Sequence, residues 1–275
     1  MARAIERIEQ DIAVLQEAIG AIASQLHSAY TSYLTILGQA LGKQLILASY
    51  HLCTQGYPEN FLQLSLNQRQ QLQQSIRKLG KQAVEQLLAQ LTSQEVGEIE
   101  EIEEDEEVTS VESISNSTLQ VYTHNTSNPV ELAKWQQHLE EETQRTLRRI
   151  SHEANTILQK AKVLPKKLPE PILEAAVAAS EAAAEMMPGP PNLLNLVIEV
   201  ENEQDPEESS LTQIITINLR LGEIEFADPA LSSERKQIRH ILTQLNQLGR
   251  EYQKKQKERS VAEAEAAWRS SWYED

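Results

Sequence analysis

Ile5, Ile8, Ile12, Leu15, Ile19, Ile22, Leu26, Ala29, Tyr33, Ile36 and Ala40 follow one another at alternating steps of three and four. That spacing puts them on one side of a helix, and about five such repeats make a heptad seam. A lone helix cannot shield the stripe from water, so it needs a partner helix, from this chain or from a second copy. Isoleucine at both seam positions leans towards assemblies of three or more strands. An ordinary long bundle helix fits the pattern equally well. Gly38 and Gly42, four apart, leave room for another backbone to approach. QGYP at 55–58 stops this helix. A second helix is predicted over 67–91, where Leu72, Ile76, Leu79, Ala83, Leu87 and Leu91 share a face. The two can fold back as a hairpin, giving an N-terminal helical module over 1–92.

The next clear start is at Asn128, a capping residue followed by Pro129 and Glu131. Leu132, Trp135, Leu139, Leu147, Ile150, Ala154, Ile157, Ala161 and Leu164 then line one side, with Thr143 filling the gap. LPKKLPEP ends the helix, since proline removes a donor and clashes with the preceding turn. A short Ala-rich helix is predicted over 172–187 and is broken by MPGPP at 187–191. The periodicity then changes. NLLNLVIEVEN (192–202) and LTQIITINLRLGEIEF (211–226) are rich in Val, Ile and Leu and alternate in part. They read as an antiparallel hairpin over about 192–226, with DPEESS as its polar loop. Two strands are marginal alone, so the pair must lie on helices, gain a strand from STLQVYTH (117–124) or pair across a dimer. A final long helix starts at Ser232 or Ser233, with Ile238, Ile241, Leu245, Leu248 and Tyr252 as its seam. The expected fold is mainly α with a small antiparallel β-hairpin: long coiled-coil-like helices plus a C-terminal α+β module over 129–275.

Charge divides the chain further. The net value is −16, yet eleven acids and no Lys or Arg fall between 93 and 131. Such a block repels itself and stays solvated, so 93–128 reads as a largely disordered acidic linker. It could also serve as a recognition segment for a basic partner, or as an internal pseudo-ligand for this chain's own basic helix. With no basic footprint, nucleic acid is not an expected partner. The most apolar stretch, 33–53, is interrupted by Gln39, Lys43 and Gln44, and reads as a covered helix rather than a membrane span. The charged N-terminus lacks the apolar core of a signal peptide. One cysteine, Cys53, suits a reducing compartment. A cytoplasmic location follows as the expectation.

Chemistry is harder to find. GQALGKQ nearly imitates a phosphate loop, but its spacing is one short and Gln44 stands where Ser or Thr is needed. His27, His51, His124, His138, His152 and His240 form no HExxH, and alternate positions set His51 and Cys53 on different sides of a helix. No cofactor, metal or catalytic residue is assigned. The end of the final helix is more informative. After the polar, basic stretch REYQKKQKERS come Val261, Ala264, Trp268 and Trp272 on one face. Trp, Tyr and Arg are the residues most enriched in binding hot spots. Trp268, Arg269, Trp272 and Tyr273 are therefore the candidate partner-binding residues. Folding back into the chain's own core is the plainer alternative, and contact with a membrane surface a third. Ile5, Ile8, Ile12, Leu15, Ile19, Ile22 and Leu26 are the candidate self-association residues.

PGPPNLLNLVIEVE, LRLGEIEFADP and AEAEAAWRSSWYED resemble stretches of a cyanobacterial protein family of unknown function, over roughly the last third of the chain. The resemblance implies a cyanobacterial cytosol and no activity. The functional expectation is a non-enzymatic interaction, scaffold or adaptor protein that self-associates. A thylakoid-surface protein is the alternative, and a ligand-binding or enzymatic domain on the hairpin module a second.

Overall fold

The computed structural model describes residues 2–93, 127–165, 190–202 and 205–272. The chain is mainly α-helical with one small antiparallel β-hairpin. The elements are α1 (Ala2–His51), α2 (Pro58–Leu62), α3 (Leu66–Ser93), α4 (Pro129–Lys160), β1 (Leu193–Asn202), β2 (Asp205–Ile217), α5 (Leu221–Ala227) and α6 (Pro229–Ser271). The strand expected at 117–124 and the Ala-rich helix at 172–187 lie outside the described residues, as does most of the acidic stretch.

Local chemistry sets the helix ends. α1 closes in a π-helical turn, Leu52–Gly56, before Pro58 opens α2. Ser65 and Gln68 form a reciprocal capping box ahead of α3: each side chain accepts the other's backbone N–H. Asn128 Oδ1 accepts the Val130 N–H at 3.0 Å at the start of α4. Asp228 does the same for Ala230. α6 therefore begins at Pro229, ahead of the expected Ser232, because Asp-Pro supplies both a cap and a preset first turn. The Ser232 hydroxyl instead donates to the Glu225 carbonyl.

The hairpin differs from expectation at both ends of its second strand. DPEESS is not the loop: Asp205–Ser210 belongs to β2. In the other direction β2 stops at Ile217, paired with Leu193. LGEIEF, expected as strand, lies in helix α5. As a strand it would put Ile224 and Phe226 on one face. The chain buries only Ile224, and Phe226 is 83% exposed. Turning helical separates the two and directs Glu223 and Glu225 towards arginines.

The described residues fall into two compact units, each drawing on early and late parts of the chain. One comprises the described residues within 1–27, 89–139 and 240–275. In it α1, α4 and α6 pack together. The His27 and Trp135 rings stack with centroids 6.2 Å apart, Lys255 Nζ lies 3.0 Å from Asp11, and Pro129 sits against Gly249. Ile12, Ile19, Ile22, Leu26, Leu132, Leu139, Ile241 and Leu245 are among its buried apolar positions.

The other unit comprises the described residues within 28–88 and 140–239. Here burial on α1 widens from a seam to most of the helix, with Tyr30, Leu34, Leu37, Leu41 and Leu45 fully covered. α1 and α3 cross at their glycines. A Cβ placed on Gly80 would stand 3.2 Å from the Gly42 Cα. The hairpin is held by side chains that take up the backbone groups of β2 and its exit. Asn155 bonds both the N–H and the carbonyl of Ile217 at 2.9 Å, Ser151 Oγ accepts from Leu219, and Tyr57 Oη accepts from Ile215. Without these partners the strand would present an open edge.

Candidate functional site

Two places on the chain concentrate side chains with something to do: the far end of α6, and a polar cluster in the second unit.

The α6 end is where the sequence points. Trp268 and Trp272 are 67% and 68% exposed, with ring centroids 5.7 Å apart and tilted by 44°. Arg269 Nη2 lies 3.7 Å from Glu265 Oε2, with both side chains well exposed. Tyr273 lies outside the described residues. The basic stretch before the tip does not stand wholly in water. Tyr252, Lys255, Gln256 and Arg259 are half-buried on its inner side, and Lys255 bonds Asp11 and Glu258. Hydrogen bonds to Asp11 and then to Glu258 raise the Lys255 pKa above the ordinary lysine value. What looked uniformly polar is two-sided, because long Lys and Arg stems cover a neighbouring helix while their charges stay wet.

Of the self-association residues, Ile12, Ile19, Ile22 and Leu26 are buried by the chain's own helices, and Ile5, Ile8 and Leu15 are half-buried. A single copy thus supplies much of the cover the seam demands.

The polar cluster was not anticipated. Arg235, from the first turns of α6, meets Glu140 of α4 through Nη1 and, at 3.1 Å, through Nη2. Its Nε lies 2.7 Å from Glu225 of α5, and its Nη2 also donates to the Tyr33 hydroxyl at 2.6 Å. The guanidinium stands 4.3 Å from the Tyr33 ring centroid, a cation–π interaction. The Tyr33 hydroxyl donates to Glu225 in a 2.6 Å hydrogen bond, and Tyr30 donates to Glu140 at 2.6 Å. Burial pushes the Tyr33 phenol well above its usual range, against the pull of Arg235. Burial also opposes the charge of Arg235. Its bonds to Glu140, followed by Tyr33 and Glu225, outweigh that and keep it protonated. One cation faces two carboxylates and a phenol, and the result ties α1, α4, α5 and α6 together. The signal was present in Tyr30 and Tyr33, whose hydroxyls sit three apart in an apolar stripe and require partners. Which charged residues would meet them depended on chain sections more than a hundred residues away.

Among the described residues, no group of three His, Cys, Asp or Glu could hold a metal ion. Cys53 is buried, and burial pushes its thiol up to about 11. A thiol so far above neutral pH is almost wholly protonated and a poor nucleophile. Native protein at pH 8 is therefore expected to react with iodoacetamide at least tenfold more slowly than protein in 8 M urea. Equal rates, followed by mass spectrometry, would contradict the burial. Among the described residues no helix is long and apolar enough to cross a membrane.

No protein-family model matches the chain, and no curated protein and no solved structure matches it.

Proposed function

We propose that the chain is a non-enzymatic interaction protein of the cytoplasm, which docks a protein partner through Trp268, Arg269, Trp272 and Tyr273 at the end of α6. One observation supports this reading above all. Two indoles, each more than two-thirds exposed, lean against one another at the end of a helix of 43 residues. Each tryptophan has some 150–250 Å² to bury, and adjacent exposed aromatics are the usual core of a hot spot. Val261, 50% exposed on the same face, extends the apolar surface.

The test replaces both tryptophans by alanine and compares capture from native extract with thermal stability. The double variant is expected to lose its specific partners while its unfolding midpoint stays within about 1 °C, as for exposed positions generally. A midpoint several degrees lower with the partners retained would make the tip part of the protein's own core and end the reading.

A further inference from the structure

The exposed side of α6 is ordered along its length. Arg250, Lys254, Lys257, Val261, Trp268 and Trp272 recur at steps of three, four and seven, so they form a single stripe. All six are exposed, and the half-buried Tyr252, Lys255 and Arg259 lie on the opposite side of the helix. Lys255 and Arg259 are engaged with Asp11, Glu258 and Glu263. Arg250, Lys254 and Lys257 make no ion pair among the described residues. The stripe thus has a cationic end and an apolar, aromatic end, and a ligand that fits it carries carboxylates with aliphatic side chains interleaved.

The chain contains such a stretch. Between Glu95 and Glu107 stand nine acids and no Lys or Arg, with Val96, Ile99 and Ile102 spaced by three among them. Its tethers are favourable. The chain is described up to Ser93 and again from Ser127, and both ends belong to the unit that contains the stripe. At the returning end Pro129 packs on α6: a Cβ placed on Gly249 would stand 3.4 Å from the Pro129 Cβ. The acidic stretch is therefore led back to the residue next to Arg250. The residues between Glu107 and Ser127 can span roughly 60 Å when extended, and Arg250 to Trp272 measures about 33 Å along the helix.

We propose that the exposed stripe of α6 from Arg250 to Trp272 is a docking surface for this chain's own acidic stretch Glu95–Glu107. The carboxylates meet Arg250, Lys254 and Lys257, and the aliphatic residues lie towards Val261 and the indoles. An outside partner would then compete with an internal one. That consequence rests on the interaction reading above; the internal docking does not.

Zero-length carbodiimide coupling of the full chain, read by peptide mass spectrometry, tests it. Lys254 and Lys257 are expected to couple to carboxylates in 95–107 within single molecules. A mixture of isotope-labelled and unlabelled protein should give no mixed pairs. Raising NaCl to 0.5 M should lower the yield at least fivefold, because exposed charge pairs are screened. A second variant changes the nine acids to Gln or Asn, outside every described element, with helicity checked by circular dichroism. Acrylamide quenching of its tryptophan fluorescence is expected to rise about twofold. Couplings found only in mixed pairs would assign the surface to a second copy. Binding to phosphatidylserine vesicles through Lys254 and Lys257, with no 95–107 coupling, would assign it to a lipid surface. Either result, or unchanged quenching, overturns the proposal. Loss of capture on removing the tryptophans is a separate readout and stands or falls independently.

Discussion

Arg235→Leu is expected to destabilise the protein by about 3–5 kcal/mol, the range for breaking a buried ion pair by removing one partner. The substitution strands Glu140 and Glu225, whose side chains are only 22% and 18% exposed, and removes a donor from Tyr33. The loss comes from carboxylates left buried without a cation, rather than from the attraction that the pair had contributed. The triple variant Glu140→Gln/Glu225→Gln/Arg235→Leu should therefore recover more than half of the deficit, since no unpaired charge remains. Urea midpoints of the two variants decide the matter, and equal losses would sink the electrostatic account. A dependence on pH accompanies it. Burial raises the Tyr33 phenol above its ordinary value of 10.0, so the folded state favours the protonated form. Its contribution is whole below pH 10 and is lost as pH rises beyond that. Tyr33→Phe should flatten the decline in stability above pH 10, at the cost of two hydrogen bonds at neutral pH.

Gly38→Ala is expected to destabilise by about 1–3 kcal/mol through overpacking, although alanine is the better helix former by about 1 kcal/mol. A Cβ at this position would stand 3.0 Å from both the Cα and the Cγ2 of Val84. The first of these is backbone and cannot swing aside. Gly20→Ala in the same helix is the control: nothing lies within 4 Å of the new methyl, so only the propensity gain remains. Opposite signs for the two substitutions in thermal melts would establish close approach of α1 and α3. Two stabilising results would refute it. Val84→Ala should rescue Gly38→Ala only in part, because trimming the side chain leaves the obstructing backbone atom in place.

The four long helices were legible because each carries its own periodicity. Asn128 with Pro129 acts within a few residues, and such a signal needs no knowledge of the rest of the fold; Ser65 with Gln68 and Asp228 with Pro229 are as local, yet the expected starts, 67 and Ser232 or Ser233, missed them. Leu72 through Leu91 and Leu132 through Leu164 mark faces that any packed arrangement would have to cover. The close passage at Gly42 and Gly80 was half legible: GQALG announced that a backbone could come near, without saying which.

Other features could not be read in this way. The stretch LGEIEFA alternates like a strand, and local pattern offers no reason to prefer a helix. The decision came from Arg220 and Arg235, which take up Glu223 and Glu225, and from a site that covers Ile224 alone. The polar look of 250–260 similarly concealed an inner side lying on α1, because Lys and Arg bury their stems and expose their charges. Tyr30 and Tyr33 advertised a need for hydrogen-bond partners that only Glu140, Glu225 and Arg235 could meet.

By itself, the sequence determined the four long helices, the start of α4 at Asn128-Pro129, that the long apolar stripes must be covered, and that two indoles end the last helix. Those properties depend on interactions between residues a few positions apart. The tertiary structure alone decided that the chain's own helices cover much of the first stripe. It also decided that α5 is a helix, that an arginine network joins four helices, and that no described residue covers one side of α6 from Arg250 to Trp272. Each of those outcomes depends on groups far apart in the chain, whose meeting is set by packing and by the cost of leaving buried charges and polar atoms unpaired.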